Sequence, residues 1–534
     1  MLAPANWNNI AKLTRELSDR ATYKKHRSEE AMERHAKTVA QISTVIKQFF
    51  QKKVPYRINH GSTNSTRPLR RDRVETVDIG SLNNVLEVNR AKLTALVEPN
   101  VPMDRLVEAT LAKGLIPPIV MEFPGITAGG GFAGTAGESS SFKHGFFDDT
   151  VNEVEMVLAN GEVVRASRDD KADLFRGAAG AVGTLGVTTL LELKLKEAKS
   201  YVKTTYRRTR TVEEAVKLVR EQTRNPENDY VDGILYSKDH GVVVTGTMTN
   251  EKPESQAVQT FSGAWDPWYY LHVADKTRSA SGPVVDYIPL AEYLFRYDRG
   301  GFWVGRAGFD YFKIFPFNRF MRWFLDDFLH TRMLYRALHG SGESARFIVQ
   351  DLALPYSTAT EFVNYTADNL GIWPLWLCPL KRPQCPTFHP LTTTPSSVGL
   401  EQEDSDALNI GVWGWGPADP EQFAAKNRDL ETRLRDLGGR KWLYAHAYYS
   451  EDEFWKLYGR DWYDSLRVKY HATTLPTVYD KVNVDVRTRT KDTKHWGSSI
   501  KRYWPVGGMW GIRQSIKSKD YYLHRNAKWK YEGE

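Results

Sequence analysis

Phe123 to Phe147 reads FPGITAGGGFAGTAGESSSFKHGFF, the densest gathering of glycines and small hydroxyl side chains in the sequence. Glycines let a backbone approach a ligand closely, and Thr127, Thr135, Ser139, Ser140 and Ser141 set hydroxyls beside the exposed amides. Such a composition suits a loop that wraps the phosphates and polyol of a bound cofactor. A formal G-x-G-x-x-G runs from Gly129 to Gly134. That fingerprint of the doubly wound dinucleotide fold must close a strand and open a helix. Here Pro124 stands ahead of it, and the run Gly134 to Gly145 is a poor helix former, so the doubly wound fold is rejected. The competing reading, a flexible Gly/Ser linker, is decided by the rest of the sequence.

Outward from this stretch, glycine and hydroxyl residues cluster twice more. Upstream, the short strand Val54 to Ile58 runs into RINHGSTNST, a loop able to present successive amides to a phosphate. Downstream lies GAAGAVGTLGV, ahead of a long β run. Ahead of the first, AKTVAQISTVIKQFF places Val39, Ile42, Val45, Ile46 and Phe49 at helical spacing. Leu86 and Val88, then Leu93, Ala95 and Val97, alternate on either side of a polar turn. TVNEVEMVLANGEVVRAS predicts a hairpin turning at Asn160-Gly161. From about Tyr201 the texture changes to helices, antiparallel strands and a stretch dense in Trp, Tyr and Phe. This is an α+β pattern, with a second domain whose aromatics suit an apolar pocket as well as ordinary core packing.

A chain of 534 residues exceeds one core and predicts two or three domains. Only Cys378 and Cys385 occur, at no familiar zinc spacing, so neither a disulfide-built fold nor a metal site is expected. The N-terminus has no signal-peptide core and no run of eighteen apolar residues exists, which predicts a soluble or peripherally attached protein. The net charge of +8 is local: Arg487 to Lys530 holds twelve bases against Asp492 and Asp520, leaving the remainder slightly acidic. The basicity therefore concerns docking more than chemistry.

Glycine clusters, an aromatic domain and a return segment follow one another in the order of FAD-binding domains of the vanillyl-alcohol-oxidase type. Within that group the protein resembles the Δ24-sterol reductases, the Diminuto or seladin type. The likeness is carried by VEPNVPM, GESSSFKHGFF, EVVRAS with DLF after it, GTLGV, LYSKD with VTGTMTNE, YIPLAEY, Phe302-Trp303, VQDLALP, PLWLCP, LYAHAYYSEDEFW and LPTVYDKV, collinear as far as Val482. It departs from the family in lacking a hydrophobic anchoring segment, in carrying His446 where an aspartate is usual, and in the hydroxyls of its first phosphate loop.

The resemblance implies a two-subdomain FAD-binding domain of the vanillyl-alcohol-oxidase (PCMH) type over 35–200 and an α+β substrate or cap domain over 201–440. A polar extension (1–34), a return segment (441–482) and a basic aromatic tail (483–534) complete the organisation. It also implies noncovalent FAD. The first phosphate loop comprises Arg57, Asn59, His60, Gly61, Ser62, Thr63, Asn64 and Ser65. The central loop comprises Pro124, Gly125, Thr127, Gly129, Gly130, Gly131, Gly134, Thr135, Ser139, Ser140 and Ser141. Lys143, His144 and Gly145 are expected beside the isoalloxazine, and Gly183, Gly186 and Val187 on the adenine side.

The implied reaction is reduction of a carbon–carbon double bond in the side chain of a sterol or terpenoid, with NADPH as electron donor. A placed acid must protonate one carbon, and the candidates are Glu138, His446, Tyr448 and Tyr449. The runner-up is an oxidase of a small alcohol or hydroxy acid on the same fold. A different class, a nucleic-acid or membrane-surface binder, rests on the tail, where bases interleave with Trp496, Tyr503, Trp504, Trp510, Trp529 and Tyr531. Of the two surfaces a membrane is expected and no nucleic acid. The tail is expected to dock on anionic lipid, with apolar insertion from DYFKIFPFNRFMRWFLDDFL through Phe312, Phe315, Phe320, Trp323 and Phe324. The protein is expected to be intracellular, either cytoplasmic or peripherally attached to the endoplasmic reticulum membrane.

Overall fold

Helical spacing at the N-terminal end produces a single helix, Trp7–Gln51, that lies along the cofactor-binding half. The computed structural model describes residues 7–61, 75–383, 386–390, 406–484 and 504–533, with side chains of this first helix from Glu29 onward. Ser62, Thr63, Asn64, Ser65, Cys385 and the tail residues 487–503 lie outside the described residues.

Val39, Ile42 and Ile46 are buried as their spacing predicts, but Val45 is 38% exposed. The packed face is turned instead toward Ser43, whose hydroxyl donates to the Gly161 carbonyl at 2.5 Å. Gly161 occupies the predicted hairpin turn at φ +88°, and a Cβ there would stand 3.0 Å from the Ser43 carbonyl oxygen. The turn and the helix thus require glycine at their contact.

Two turns earlier on the helix, His35 is buried between two carboxylates, 2.9 Å from Glu98 and 3.1 Å from Glu155. Burial alone would lower its pKa, but the hydrogen bonds to Glu155 and Glu98 outweigh that and raise it from 6.5 to about 9. A group that titrates higher when folded contributes fully below its unfolded pKa and loses that contribution as pH rises through the folded one. The gap in Tm between the wild-type protein and His35→Phe should therefore be widest near about pH 6 and close toward about pH 10. A gap independent of pH would contradict the ion-pair reading.

Behind this helix is a five-stranded antiparallel sheet in the order Val85–Asn89, Thr94–Val97, Val187–Lys194, Val151–Val157, Val163–Ser167. Leu93, expected on the second of these strands, instead sits in the turn before it at φ +52° and is 39% exposed. The strand begins only at Thr94. A parallel pair, Tyr56–Asn59 with Glu75–Asp78, flanks the first phosphate loop.

The second half is an eight-stranded antiparallel sheet. Its order is Val284–Pro289, Tyr201–Thr209, His240–Thr249, Tyr230–Ser237, Leu375–Leu380, Ala407–Trp415, Phe347–Pro355, Arg440–Lys441. Period-two alternation gives this sheet two faces. Ile348, Leu352, Leu375, Leu377, Ile410 and Val412 pack under the helices Val212–Thr223, Tyr356–Asn369 and Pro420–Asp436. The intervening residues Val349, Asp351, Trp376, Asn409 and Trp413 line a cavity on the opposite face.

The C-terminal region from Trp504 is folded onto this body. Helix Val506–Ser518 lies against Thr331–Ser341 so closely that a Cβ on Gly511 would collide with the Ala337 carbonyl. Trp529 is buried against Phe295. His524 stacks on His330 at 3.7 Å, and His330 hydrogen-bonds Asp298 at 2.5 Å and Asp326 at 3.4 Å. The charge resides on His330, because burial and the His330 charge push His524 down to about 3. The described part of the basic tail is thus folded onto the body, with several of its polar and aromatic groups engaged within the molecule.

Candidate active site

A cavity of about 630 Å³ lies between the two sheets, and it joins two chemically different ends. At one end the parallel strand brings Arg57, Ile58 and His60 against Gly183, whose φ is +73° and where a Cβ would meet the Ile58 side chain at 2.6 Å. Lys481, returned by the C-terminal segment, donates to the carbonyls of Val182 (3.0 Å) and Gly183 (3.3 Å). Burial and the Lys481 charge lower the pKa of His60. The floor continues through Gly129, Gly130 and Gly134, on a short helix Ala128–Ala133 and its C-cap, with Thr127 as N-cap accepting from the Gly130 amide.

The other end is walled by aromatic rings. Phe302 stacks on Tyr297 at 3.8 Å and touches Phe123, Trp376 and Trp413 at 5.5, 5.4 and 4.6 Å between centroids. Two buried carboxylates border this end. Asp351 accepts from Asn409 (2.9 Å), from the Trp413 indole (3.3 Å) and from the Tyr444 hydroxyl. Burial raises its pKa against those three hydrogen bonds.

Glu122 is the other carboxylate. Behind it, Arg296 donates to Asp232 at 2.8 Å, and Asp232 also accepts from Tyr297 and Trp376. One guanidinium thus serves two carboxylates, and Asp232 takes it. Glu122 Oε1 stands 3.7 Å from Arg296, too far for a hydrogen bond, and has no hydrogen-bond partner among the described residues. Burial pushes Glu122 up to about 8, with Arg296 only partly opposing it, so at neutral pH Glu122 is a neutral acid facing the cavity wall.

Of the residues singled out from the sequence, Arg57, His60, Thr127, Gly129, Gly130, Gly134, Gly183, Gly186, Glu138 and His446 line this cavity. Among the described residues, Asn59, Gly61, Pro124, Gly125, Gly131, Thr135, Ser139, Ser140, Ser141, Lys143, His144, Gly145 and Val187 do not. The segment after Glu138 turns away to clasp the large sheet. The Ser139 carbonyl accepts from the Val231 amide at 2.8 Å, Ser140 donates to Pro118, and Ser141 accepts from the Glu138 amide.

Lys143, expected near the reactive ring, instead donates to the carbonyls of Pro226 and Asn228 at 3.2 Å. His144 lies against Lys196, and burial with the Lys196 and Lys143 charges holds it down to about 4. Tyr448 and Tyr449 are also displaced from the cavity: the Tyr448 amide is tied to Glu431, and the Tyr449 ring is buried beside it. Glu122, Phe302, Asp351, Trp413, Tyr444 and Lys481 escaped sequence reasoning as site residues. All except Trp413 and Glu122 fall within the segments that carry the family resemblance.

Residues 32–167 match the family model described as FAD binding domain. The Delta(24)-sterol reductase of Homo sapiens is 30% identical over 414 residues, covering 75% of this chain and 76% of that protein. That of Arabidopsis thaliana is 29% identical over 434 residues, 76% of each protein. The chain belongs to the Δ24-sterol reductase family. A more distant member, the Delta(24)-sterol reductase homolog dhcr-24 of Caenorhabditis elegans, is 26% identical over 437 residues, 78% of this chain and 80% of its own.

The residues of this family member fit FAD. The glycine-lined end supplies cations and close-packed backbone for an anionic diphosphate. Glu138 is buried, and its Oε2 has no hydrogen-bond partner among the described residues, an acceptor that a hydroxyl or N–H of the cofactor would satisfy. Arg57, His60, Gly129, Gly130, Glu138, Gly183 and Gly186 are the residues that would hold it. Of these His60 is the one side chain with the chemistry for a covalent link, and it precedes Gly61, whereas the resemblance implies that a linked histidine would follow a Gly-Gly or Ser-Gly pair. Acid precipitation should therefore release all flavin into the supernatant, and a yellow pellet would show a covalent bond.

Proposed function

We propose that this protein reduces an isolated carbon–carbon double bond in the side chain of a sterol or related terpenoid, with NADPH as electron source. The observation that carries the reading is the single cavity in which a glycine-lined, cationic end opens into a wall of stacked aromatic rings. Residues 35–200 serve as the cofactor domain, 201–440 as the cap that supplies the apolar wall, and 441–482 as the return that closes the cavity with Tyr444, His446 and Lys481. The chemistry that bound FAD supplies is a hydride equivalent for one alkene carbon.

The protein's own residues do the rest. An unactivated alkene offers no carbonyl to polarise, so Phe302, Trp376 and Trp413 hold the hydrocarbon in place and exclude water. Glu122 delivers the proton to the second alkene carbon and is left as a carboxylate, which the neighbouring Arg296 stabilises. Asp351, held by Asn409, Trp413 and Tyr444, keeps the opposite wall rigid. A membrane-dissolved substrate goes with peripheral attachment to the endoplasmic reticulum membrane; among the described residues no helix is long and apolar enough to cross one.

The test is steady-state turnover with NADPH and a Δ24 sterol, with oxygen uptake followed in parallel. Sterol-dependent NADPH consumption without sterol-dependent oxygen uptake is expected. Oxygen uptake driven by a small alcohol, with the sterol unchanged, would replace this reading with that of an oxidase.

A further inference from the structure

Between two helices that wall the cavity, a block of large apolar side chains stands in solvent. Helix Val304–Phe312 contributes Val304 to the cavity, and helix Thr331–Ser341 contributes Thr331, Leu334, Tyr335 and Leu338. The connection between them, which includes the short helix Arg319–Phe324, exposes Ile314 (64%), Phe320 (56%), Trp323 (42%) and Phe324 (63%). Trp265, half exposed, packs edge-on against Trp323 at 5.6 Å, and Phe320 touches the same ring at 5.5 Å. The C-terminal helix extends the patch. Gly508 packs on Tyr311 and Phe312, the Trp504 indole donates to the Tyr311 carbonyl at 2.8 Å, and both Trp504 and Met509 are exposed. Leaving these side chains in water forgoes the main driving force of folding, and patches of this kind mark interaction surfaces.

The charges around the patch identify the partner. The acids beside it are already paired: Asp310 with Arg306, Asp326 with Arg299 and Asp327 with Arg525. Lys313 and Arg319 are exposed, and the Arg319 guanidinium lies over the Trp265 ring at 5.0 Å while donating to the Trp265 carbonyl. Arg322 lies over Phe317 at 4.8 Å. Cations interleaved with exposed aromatic rings are the pattern of a surface that sits at the level of lipid headgroups.

We propose that this ridge, from Ile314 to Phe324 with Trp265 and Trp504 beside it, docks onto an anionic lipid bilayer and admits the lipid substrate to the cavity between the helices Val304–Phe312 and Thr331–Ser341. The entry route rests on the sterol reading above, whereas the docking does not. It places the membrane contact on the cap and not on the bases of the tail alone. The ridge lies in the bilayer interface, with the aromatic rings at the headgroup boundary and Arg319 and Lys313 against lipid phosphates.

The experiment uses the full-length protein and the double substitution Phe320→Glu with Phe324→Glu, at two exposed positions remote from the cavity lining. Co-sedimentation with vesicles of phosphatidylcholine mixed with phosphatidylserine should show binding by the wild-type protein and a loss of roughly tenfold or more in the variant. Flavin content, and turnover of sterol presented in detergent, should be unchanged. With sterol presented only in vesicles, the variant should be slow. Equal vesicle binding by both proteins, or none by the wild type, would overturn the proposal. So would a dimer in lipid-free sedimentation that the variant abolishes, since the ridge would then belong to a second copy. If vesicle binding behaves as described but no sterol is turned over in detergent, the reaction is wrong and the docking surface stands.

Discussion

Glu122→Gln is expected to lower kcat by about two to three orders of magnitude, the usual contribution of a placed general acid. The amide has the shape and neutrality of the protonated carboxyl that the site already holds, so the fold and the flavin content should be retained. Because burial raises Glu122 to about 8, wild-type kcat should fall as pH rises through that value, as the proton to be donated is lost. The residual rate of the variant should show no such step. A variant within about threefold of wild type would move the proton source to the Tyr444–Asp351 pair, and Tyr444→Phe would then become the impaired variant.

Phe302→Ala should be the most destabilising single change in the cavity wall, by about 3–5 kcal/mol. The ring is 4% exposed and stacks on Tyr297 while touching Phe123, Trp376 and Trp413. Its backbone sits at φ +57°, a conformation that costs a residue with a Cβ about 1 kcal/mol relative to glycine. Phe302→Gly should consequently be more stable than Phe302→Ala by about that amount, the reverse of the usual order. Denaturant midpoints of the three proteins measure both effects. An alanine variant at least as stable as the glycine variant would mean that the loop relaxes out of the left-handed conformation. In either variant the sterol KM should rise, since the ring holds the hydrocarbon.

The residues that could be read from sequence are those whose local pattern and function coincide. VQDLALP and LNIGVWGW carry a period-two alternation that the sequence reading did not use, and it decides which side chains face helices and which face the cavity. The glycine clusters announced a cofactor, and Gly129, Gly130, Gly183 and Gly186 do line the cavity. Hydroxyl composition was the misleading signal. Ser139 to Ser141 lie among the glycines but hold the loop's own structure: the Ser139 carbonyl ties it to the large sheet, and the Ser140 and Ser141 hydroxyls bond the Pro118 carbonyl and the Glu138 amide. The same turn carries Lys143 toward the carbonyls of Pro226 and Asn228. Glu122 was invisible for the opposite reason. A lone glutamate before Phe123-Pro124 has no pattern, and its protonation follows from its burial beside an Arg296 that is hydrogen-bonded to Asp232, 110 positions further on. Charge density in the tail says nothing of burial: Trp529 and His524 are packed inside, whereas Phe320, Trp323 and Phe324 stand exposed.

The most direct measurement is an anaerobic single turnover. The holoenzyme is reduced with NADPH, freed of excess nucleotide and mixed with a Δ24 sterol, while absorbance at about 450 nm follows the cofactor. The flavin band should return at a rate set by sterol concentration, with one equivalent of product about two mass units heavier than the substrate. A band that stays bleached until oxygen is admitted, with the sterol recovered intact, would contradict a side-chain reductase.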